Sequence, residues 1–305
     1  MIDINQFYEK ELNAIQIMFN RIHALTTQKA YLYDIKRFLT FFKGKPVSEI
    51  SSLDVHMYLD SIGGQFIQEL GTVQHNLMMN RALAAIKEFY RCLNELEYVK
   101  YNPAASIRKG KSSKNKKPIF LAEQKLKQAL HLDFGKYEAR NSAIYCLMAF
   151  CGLRVGEVHR LNIEDYNPTE KHIVILGKGS KFNTIPLPEL VNDKLKHALQ
   201  ERNATYKSTE HAMFVSQKGR RISIRMIQKM IDQLFEKMKH AKIIDHREQY
   251  SAHKLRHSFA TLLMMNGVDI RVVKELMGHS SIEVTMQYSH VVEDQKSKAM
   301  QTINL

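Results

Sequence analysis

The sequence has no tryptophan and only three cysteines among 305 residues. Cys92, Cys146 and Cys151 each fall in an apolar, helical context without C-x-x-C spacing. That pattern argues against a disulfide-framed secreted domain and against a thiolate metal site. It points to buried thiols in a reducing compartment, so a cytoplasmic protein is expected. Long apolar runs are also missing. The longest, Ala143–Leu153, is interrupted by Tyr145 and Gly152, well short of the ~18 apolar residues of a membrane span. The opening MIDINQFYEK carries acid early and has no apolar core of the signal-peptide kind. No cluster of Asp and Glu suggests a metal site, and no internal repeat is visible.

Positive charge is what the chain has in excess. Its 45 Lys/Arg outnumber 31 Asp/Glu, for a formal charge of +14. Residues 1–117 hold 17 Lys/Arg and 11 Asp/Glu, a balance of +6, and the remainder carries +8. A single basic tail would not make both halves basic. A polyanionic partner follows, nucleic acid first and an anionic membrane surface second. Hydrophobic residues make up 44% of the chain, enough for a core in each of two domains.

The apolar periodicity of the first hundred residues is helical. One helix is expected over Asn5–His23. Thr26 or Thr27 caps a second over Gln28–Lys43, with Tyr31, Ile35, Phe38 and Phe42 on one stripe. Ser51 or Ser52 opens a third, with Leu53, Val55, Met57 and Leu59, closed by Gly63-Gly64. Thr72 opens a fourth, reaching about Glu97 and carrying Leu77, Ala84, Phe89 and Leu93, before Asn102-Pro103 stops the pattern. Four such helices make a small bundle, residues 1–107. The stretch RKGKSSKNKKP, residues 108–118, has six basic side chains, no acid and no large apolar group. It cannot pack, and reads as an exposed linker suited to lie along phosphates. Residues 119–305 form a second, mainly helical domain. Helices are expected at 122–131, 139–151, 155–161, 188–202, 223–240, 253–266, 269–277 and 281–288. Within KHIVILGKGSKFNTIPL, His172–Leu176 and Phe182–Leu187 read as two strands around a Gly-Lys-Gly-Ser turn. The fold class is therefore mainly α, with one small β-hairpin.

Four stretches of the second domain could carry chemistry. In CGLRVGEVHRL, Gly152 ends one helix and Arg154 stands at the start of the next, where anions bind. Glu157, three residues on, shares its face and could hold it by an ion pair. Lys178 sits on the hairpin turn, where an ammonium is usually solvated but could donate a proton. In HKLRHSFATLLM, His253 and Arg256 are three apart on one helix and share a face, which suits a phosphate. In MGHSSIEVTMQYSH, Gly278 is a good residue just beyond a helix end, and Ser280-x-x-Glu283 is a capping-box string. They set the frame for His279 and Tyr288. Each stretch alone has a plain structural alternative. Together, two arginines, two histidines, a lysine and a tyrosine supply what phosphoryl transfer to a phenol requires: cationic clamps, a proton acceptor and a proton donor.

At these residues the chain resembles the tyrosine site-specific recombinases, and most of all the bacterial Xer recombinases and their phage-integrase relatives. The strings are GLRVGEVHRL, ILGKGSKFNTIPL, HKLRHSFAT and LMGHSSIEVTMQYSH. Their order and separations fit the family from about Ile119 to His290. The N-terminal part fits only by its helix pattern. The resemblance implies that Arg154 and Arg256 clamp the scissile phosphate and Lys178 protonates the 5′-oxygen. His253 would assist proton transfer and His279 hydrogen-bond the phosphate. Tyr288 would attack, leaving a 3′-phosphotyrosyl bond. Some relatives place Trp where His279 stands. No cofactor is implied, because the covalent bond conserves the phosphodiester's energy. Double-stranded DNA is the implied partner, held by a homotetramer, or a heterotetramer with a second recombinase. The tail after His290 would dock on a neighbouring subunit. The N-terminal bundle resembles the family's core-binding domain, with Thr27, Lys29, Lys36, Arg37, Arg81 and Lys87 as candidate phosphate contacts, joined by Lys111 and Lys114 of the linker. Chromosome or plasmid dimer resolution is the expectation, and integration of a mobile element the alternative. A binding-only protein on the same scaffold and a type IB topoisomerase-like enzyme stand further off.

Overall fold

The structure, a computed structural model, describes residues 3–22, 25–70, 72–110, 120–177, 182–205 and 210–278. The chain divides into two compact units, residues 1–116 and 117–305.

The first unit is all helical: α1 (Ile4–Phe7), α2 (Glu9–Ile22), α3 (Leu25–Phe41), α4 (Ser52–Leu70) and α5 (Thr72–Glu95). The stripes of α2, α3 and α5 close on Ile15, Phe19, Ile35, Phe38, Leu39, Ile86 and Phe89, all fully buried. Three boundaries differ from the sequence expectation. The first helix is broken at Tyr8, whose buried ring sends its hydroxyl to the carbonyls of Phe42 (2.9 Å) and Lys45 (2.8 Å). The next begins at Leu25, so Thr26 and Thr27 lie within the helix instead of capping it. Finally, α4 runs on through Gly63-Gly64 to Leu70. Glycine weakens a helix by about 1 kcal/mol relative to alanine but does not forbid it. The start of α4 is fixed locally: Asp54 accepts from the Ser51 amide at 2.8 Å, and Ser51 Oγ accepts from the Asp54 amide at 3.2 Å.

The second unit holds α6 (Glu123–Ala129), α7 (Glu138–Phe150), α8 (Val155–Arg160), α9 (Glu189–Thr205), α10 (Ile224–His240), α11 (Ala252–Met265) and α12 (Ile270–Leu276). Helix α7 is covered on every side, from Ala139 to Ala149 with Arg140 the exception, and forms the axis against which α9 and α11 pack. A three-stranded antiparallel sheet, β1 (Tyr166–Asn167), β2 (His172–Leu176) and β3 (Phe182–Pro186), lies in the order β1-β2-β3. The hairpin register sets Ile173 opposite Ile185 and Ile175 opposite Asn183, so these four share one face. β1 was not expected; two residues carry no alternation to read. The expected helix over 281–288 lies outside the described residues. No described helix is long and apolar enough to cross a membrane.

Candidate active site

The site is built on one sharp corner. Helix α7 ends at Phe150, and Gly152 turns with φ +68°, a conformation that costs any residue with a Cβ. Space makes the same demand: a Cβ on Gly152 would lie 2.4 Å from the Phe259 ring of α11. Glycine thus lets the α7–α8 corner lie flush on α11. Two residues later Arg154 is the N-cap of α8, in extended conformation. The buried Glu157 reaches back to it twice, accepting from the Arg154 amide and from Nη1, both at 2.7 Å. From α11, Arg256 enters the same spot. Its side chain is only 4% exposed, with Nη1 3.5 Å from the Glu157 carboxylate and donating to the Gly152 carbonyl at 2.5 Å.

The two guanidiniums share one further acceptor. Arg256 Nη2 donates to the Met277 carbonyl, and Arg154 Nη1 approaches the same oxygen at 3.5 Å. Met277 follows the last turn of α12, and Gly278 then turns with φ +55°. Two cations from different elements, a buried carboxylate behind them and one carbonyl in front make a site shaped to receive an anionic oxygen. Arg154 keeps 41% of its side chain exposed, so it faces the open side.

His253 lies one turn before Arg256 on α11, at the solvent-facing rim of this site. Partial desolvation, and then the charges of Arg256, Arg154 and Lys254, hold its pKa below the usual histidine value. At neutral pH its imidazole is therefore uncharged and able to accept a proton. Its ring meets His257 edge to face, 4.5 Å between centroids. Desolvation first, then His253, Lys254 and Arg256, push the His257 pKa down to about 4. An open cleft of ≈ 390 Å³ fronts Arg154, His253 and Arg256 and is also walled by Val155, Gln228, Asp232 and Ser251. The last three were not singled out in the sequence, because nothing local marks them: they reach the cleft from α10 and the loop ahead of α11.

The structure thus brings Arg154, His253 and Arg256 together. Lys178, His279 and Tyr288, and with them Lys111, Lys114 and the tail, lie outside the described residues. In the first unit, Lys29 and Lys36 line an open groove of ≈ 730 Å³ with Asn5, Asn13, Gln16 and Tyr33. Arg37 lies over the Tyr33 ring at 5.8 Å, and Thr27 is half-buried. Arg81 is engaged in a bidentate pair with the buried Asp34, at 2.8 and 2.9 Å, which ties α5 to α3. Lys87 donates to the Ala105 carbonyl at 2.9 Å.

Residues 120–295 match the model of the phage integrase family. The chain is 32% identical over 291 residues to the tyrosine recombinase XerC of Caldanaerobacter subterraneus subsp. tengcongensis, covering 90% of this chain and 80% of that protein. It is 28% identical to the tyrosine recombinase XerD of Staphylococcus epidermidis, covering 97% of each. Among solved structures, the XerH site-specific recombinase bound to a palindromic difH substrate superposes with a TM-score of 0.73. That alignment has 23% identity and covers 92% of this chain and 81% of that one. A lambda integrase dimer bound to a core site gives a TM-score of 0.69 at 15% identity, covering 93% and 94%. At these identities the two superpositions speak for the fold.

Proposed function

The chain belongs to the phage integrase family, within its tyrosine recombinases, and on that premise we propose that it is a site-specific DNA recombinase acting through Tyr288. The observation that carries this reading is the convergence of Arg154 and Arg256 on one oxygen-sized position, backed by Glu157 and flanked by an uncharged His253. A phosphodiester entering the cleft would offer its two non-bridging oxygens to these guanidiniums and displace the Met277 carbonyl as their acceptor. Tyr288 Oη attacks phosphorus, a new P–O bond forms, and the P–O5′ bond breaks. His253 takes up the phenolic proton, Lys178 supplies one to the departing 5′-oxygen, and His279 hydrogen-bonds the phosphate. The product is a 3′-phosphotyrosyl link and a free 5′-hydroxyl. A 5′-hydroxyl from a partner duplex reverses the step and seals the exchanged strand. Because the bond energy is kept in the phosphotyrosine, the cycle balances without a nucleotide.

Exchange between two duplexes calls for four subunits, so we place the working enzyme as a tetramer on DNA, its tail reaching a neighbour. Thr27, Lys29, Lys36, Arg37, Arg81 and Lys87, with Lys111 and Lys114 of the linker, are the proposed contacts to flanking phosphates. Dimer resolution in the manner of the Xer proteins is the favoured task, supported by relatives of that name spanning 80–97% of their own length. Integration of a mobile element is the second reading. Both are tested by covalent trapping. The protein is incubated with nicked, fragmented host DNA, denatured, and the retained junctions are sequenced, with Tyr288→Phe in parallel. Junctions at one chromosomal or plasmid site, lost in the variant, are expected for resolution; junctions at element ends would favour the second reading. Trapping that survives in Tyr288→Phe would overturn both.

A further inference from the structure

The outer face of the β2–β3 hairpin departs from what a solvated sheet face carries. An antiparallel sheet that covers a core on one side turns polar residues to the other. Here the inner face holds Ile173, Ile175 and Ile185, all buried. On the outer face the register sets His172 opposite Pro186, Val174 opposite Thr184 and Leu176 opposite Phe182. None of these six is an Asp, Glu, Lys or Arg, in a chain that is 25% charged. The last pair is the extreme case. Leu176 is 46% exposed and Phe182 76%, the highest value for a large apolar side chain among the described residues. Directly opposed residues have Cβ atoms roughly 5 Å apart, so the two form one apolar patch at the end of the hairpin. β3 is also an edge strand of the sheet. Apolar side chains grouped at an exposed edge, unlike single ones scattered over a surface, mark a place of contact.

The position of the patch identifies the partner. Asn183 follows Phe182 on the opposite side of the strand. Its Nδ2 donates to the Glu275 carbonyl of α12 at 3.2 Å and lies 3.8 Å from where a Cβ on Gly278 would stand. Two residues after Glu275, the Met277 carbonyl is the oxygen that Arg154 and Arg256 share. The end of the hairpin thus stands beside the guanidinium pair. A duplex whose phosphate sits on that pair continues to either side, at about 3.4 Å per base pair, and its neighbouring nucleotides pass the hairpin. Charge agrees: the connection between Leu176 and Phe182 carries Lys178 and Lys181 and no acid. The patch itself holds no charge to offer a phosphate. What it can meet is the apolar surface of DNA, the faces of bases and their sugars.

We propose that Leu176 and Phe182 form a DNA contact surface: with the scissile phosphate on Arg154 and Arg256, the Phe182 ring packs on a base or deoxyribose a few nucleotides away, and Leu176 backs the ring. The proposal rests on the recombinase reading and adds to it a contact made by apolar surface. Its strength comes from stacking and burial, not from the release of counterions, so it is insensitive to salt. Every base has a π-face, so it is tolerant of sequence.

The test uses the full-length chain and a duplex carrying the junction sequence recovered by covalent trapping. Phe182→Ala should weaken binding roughly 10-fold, with its line of log affinity against log salt displaced from that of the unaltered protein but parallel to it. Leu176→Ala should act in the same direction and less. Phe182→Tyr, which keeps the ring, should stay within about twofold. Because the chain has no tryptophan, Phe182→Trp places its only indole at the patch. In the free protein that indole should be open to acrylamide; on DNA its emission should be quenched and acrylamide kept out. An affinity of Phe182→Ala within about twofold of the unaltered protein, or a salt slope changed by about one, would overturn the proposal. So would an indole as open to acrylamide with DNA as without it. An indole already shielded in the absence of DNA would overturn it as well and assign the patch to protein: to a second copy if the shielding fades on dilution, to this chain itself if it does not. If the unaltered protein neither binds host DNA nor is trapped on it, the recombinase reading falls and takes this inference with it.

Discussion

Glu157 is set against both guanidiniums, and Glu157→Gln is the substitution that isolates its charge. Glutamine keeps the volume and one accepting oxygen, so the Arg154 amide can still be capped. It removes the carboxylate facing Arg154 Nη1 at 2.7 Å and Arg256 Nη1 at 3.5 Å. The Arg154 contribution is small, below about 1 kcal/mol, because that side chain is 41% exposed and screened by water. Arg256 is different. At 4% exposure it would lose the Glu157 carboxylate from a buried position, and breaking a tight buried pair costs about 3–5 kcal/mol. The 3.5 Å separation, and the retained carbonyls of Gly152 and Met277, bring the expectation down to about 2–3 kcal/mol. For a unit of this size that corresponds to a fall of roughly 5–10 °C in its melting temperature. Hydrogen exchange at the amides of α8 and α11 reports this unit by itself. Removing both charges, with Glu157→Gln and Arg256→Met together, should cost less than the sum of the two singles. A loss below about 0.5 kcal/mol in Glu157→Gln, or strictly additive losses, would refute the shared-carboxylate account.

Gly152→Ala should destabilise the catalytic unit by about 2–4 kcal/mol through backbone strain and overlap with the Phe259 ring, and adding Phe259→Ala should return part of that loss in a denaturation cycle. Arg81→Ala should cost the N-terminal unit more than Asp34→Asn does, because it strands a carboxylate in a buried position whereas the reverse leaves a cation that water can reach; urea denaturation of the two variants decides it. Since the folded His257 titrates at about 4 against 6.5 when unfolded, the unfolded chain binds more protons as pH drops. Stability should therefore be full above about pH 6.5 and decline toward about pH 4, and His257→Asn should flatten that decline in denaturant midpoints. Lys29→Ala and Lys36→Ala should each weaken DNA binding across all sequences and lower the salt slope by about one, measured by titration at several ionic strengths.

Much of this was readable from local signals. Gly152 and Gly278 were placed at helix ends by punctuation, and both adopt the left-handed turn. The apolar run His172–Leu176 and the stretch Phe182–Leu187 read as two strands of a hairpin, and the structure pairs Leu176 with Phe182 through His172 with Pro186. Other features required the third dimension. The spacing of His253 and Arg256 showed a shared face, but not that Arg256 would be buried against a carbonyl from α12. Gly63-Gly64 looked like a stop, yet α4 continues, since propensity is a weak prior inside a packed bundle. Tyr8 broke the first helix for the sake of two distant carbonyls that no local pattern announces.

The central claim is that DNA becomes joined to the Tyr288 oxygen, and one measurement addresses it directly. Covalent adducts trapped under denaturing conditions are digested with nuclease and protease, and the peptide still carrying nucleotide is sequenced by mass spectrometry. The account predicts a single modified peptide, Tyr288 within it, linked to a 3′-phosphate. Nucleotide on any other side chain, or on a 5′-phosphate, would contradict it.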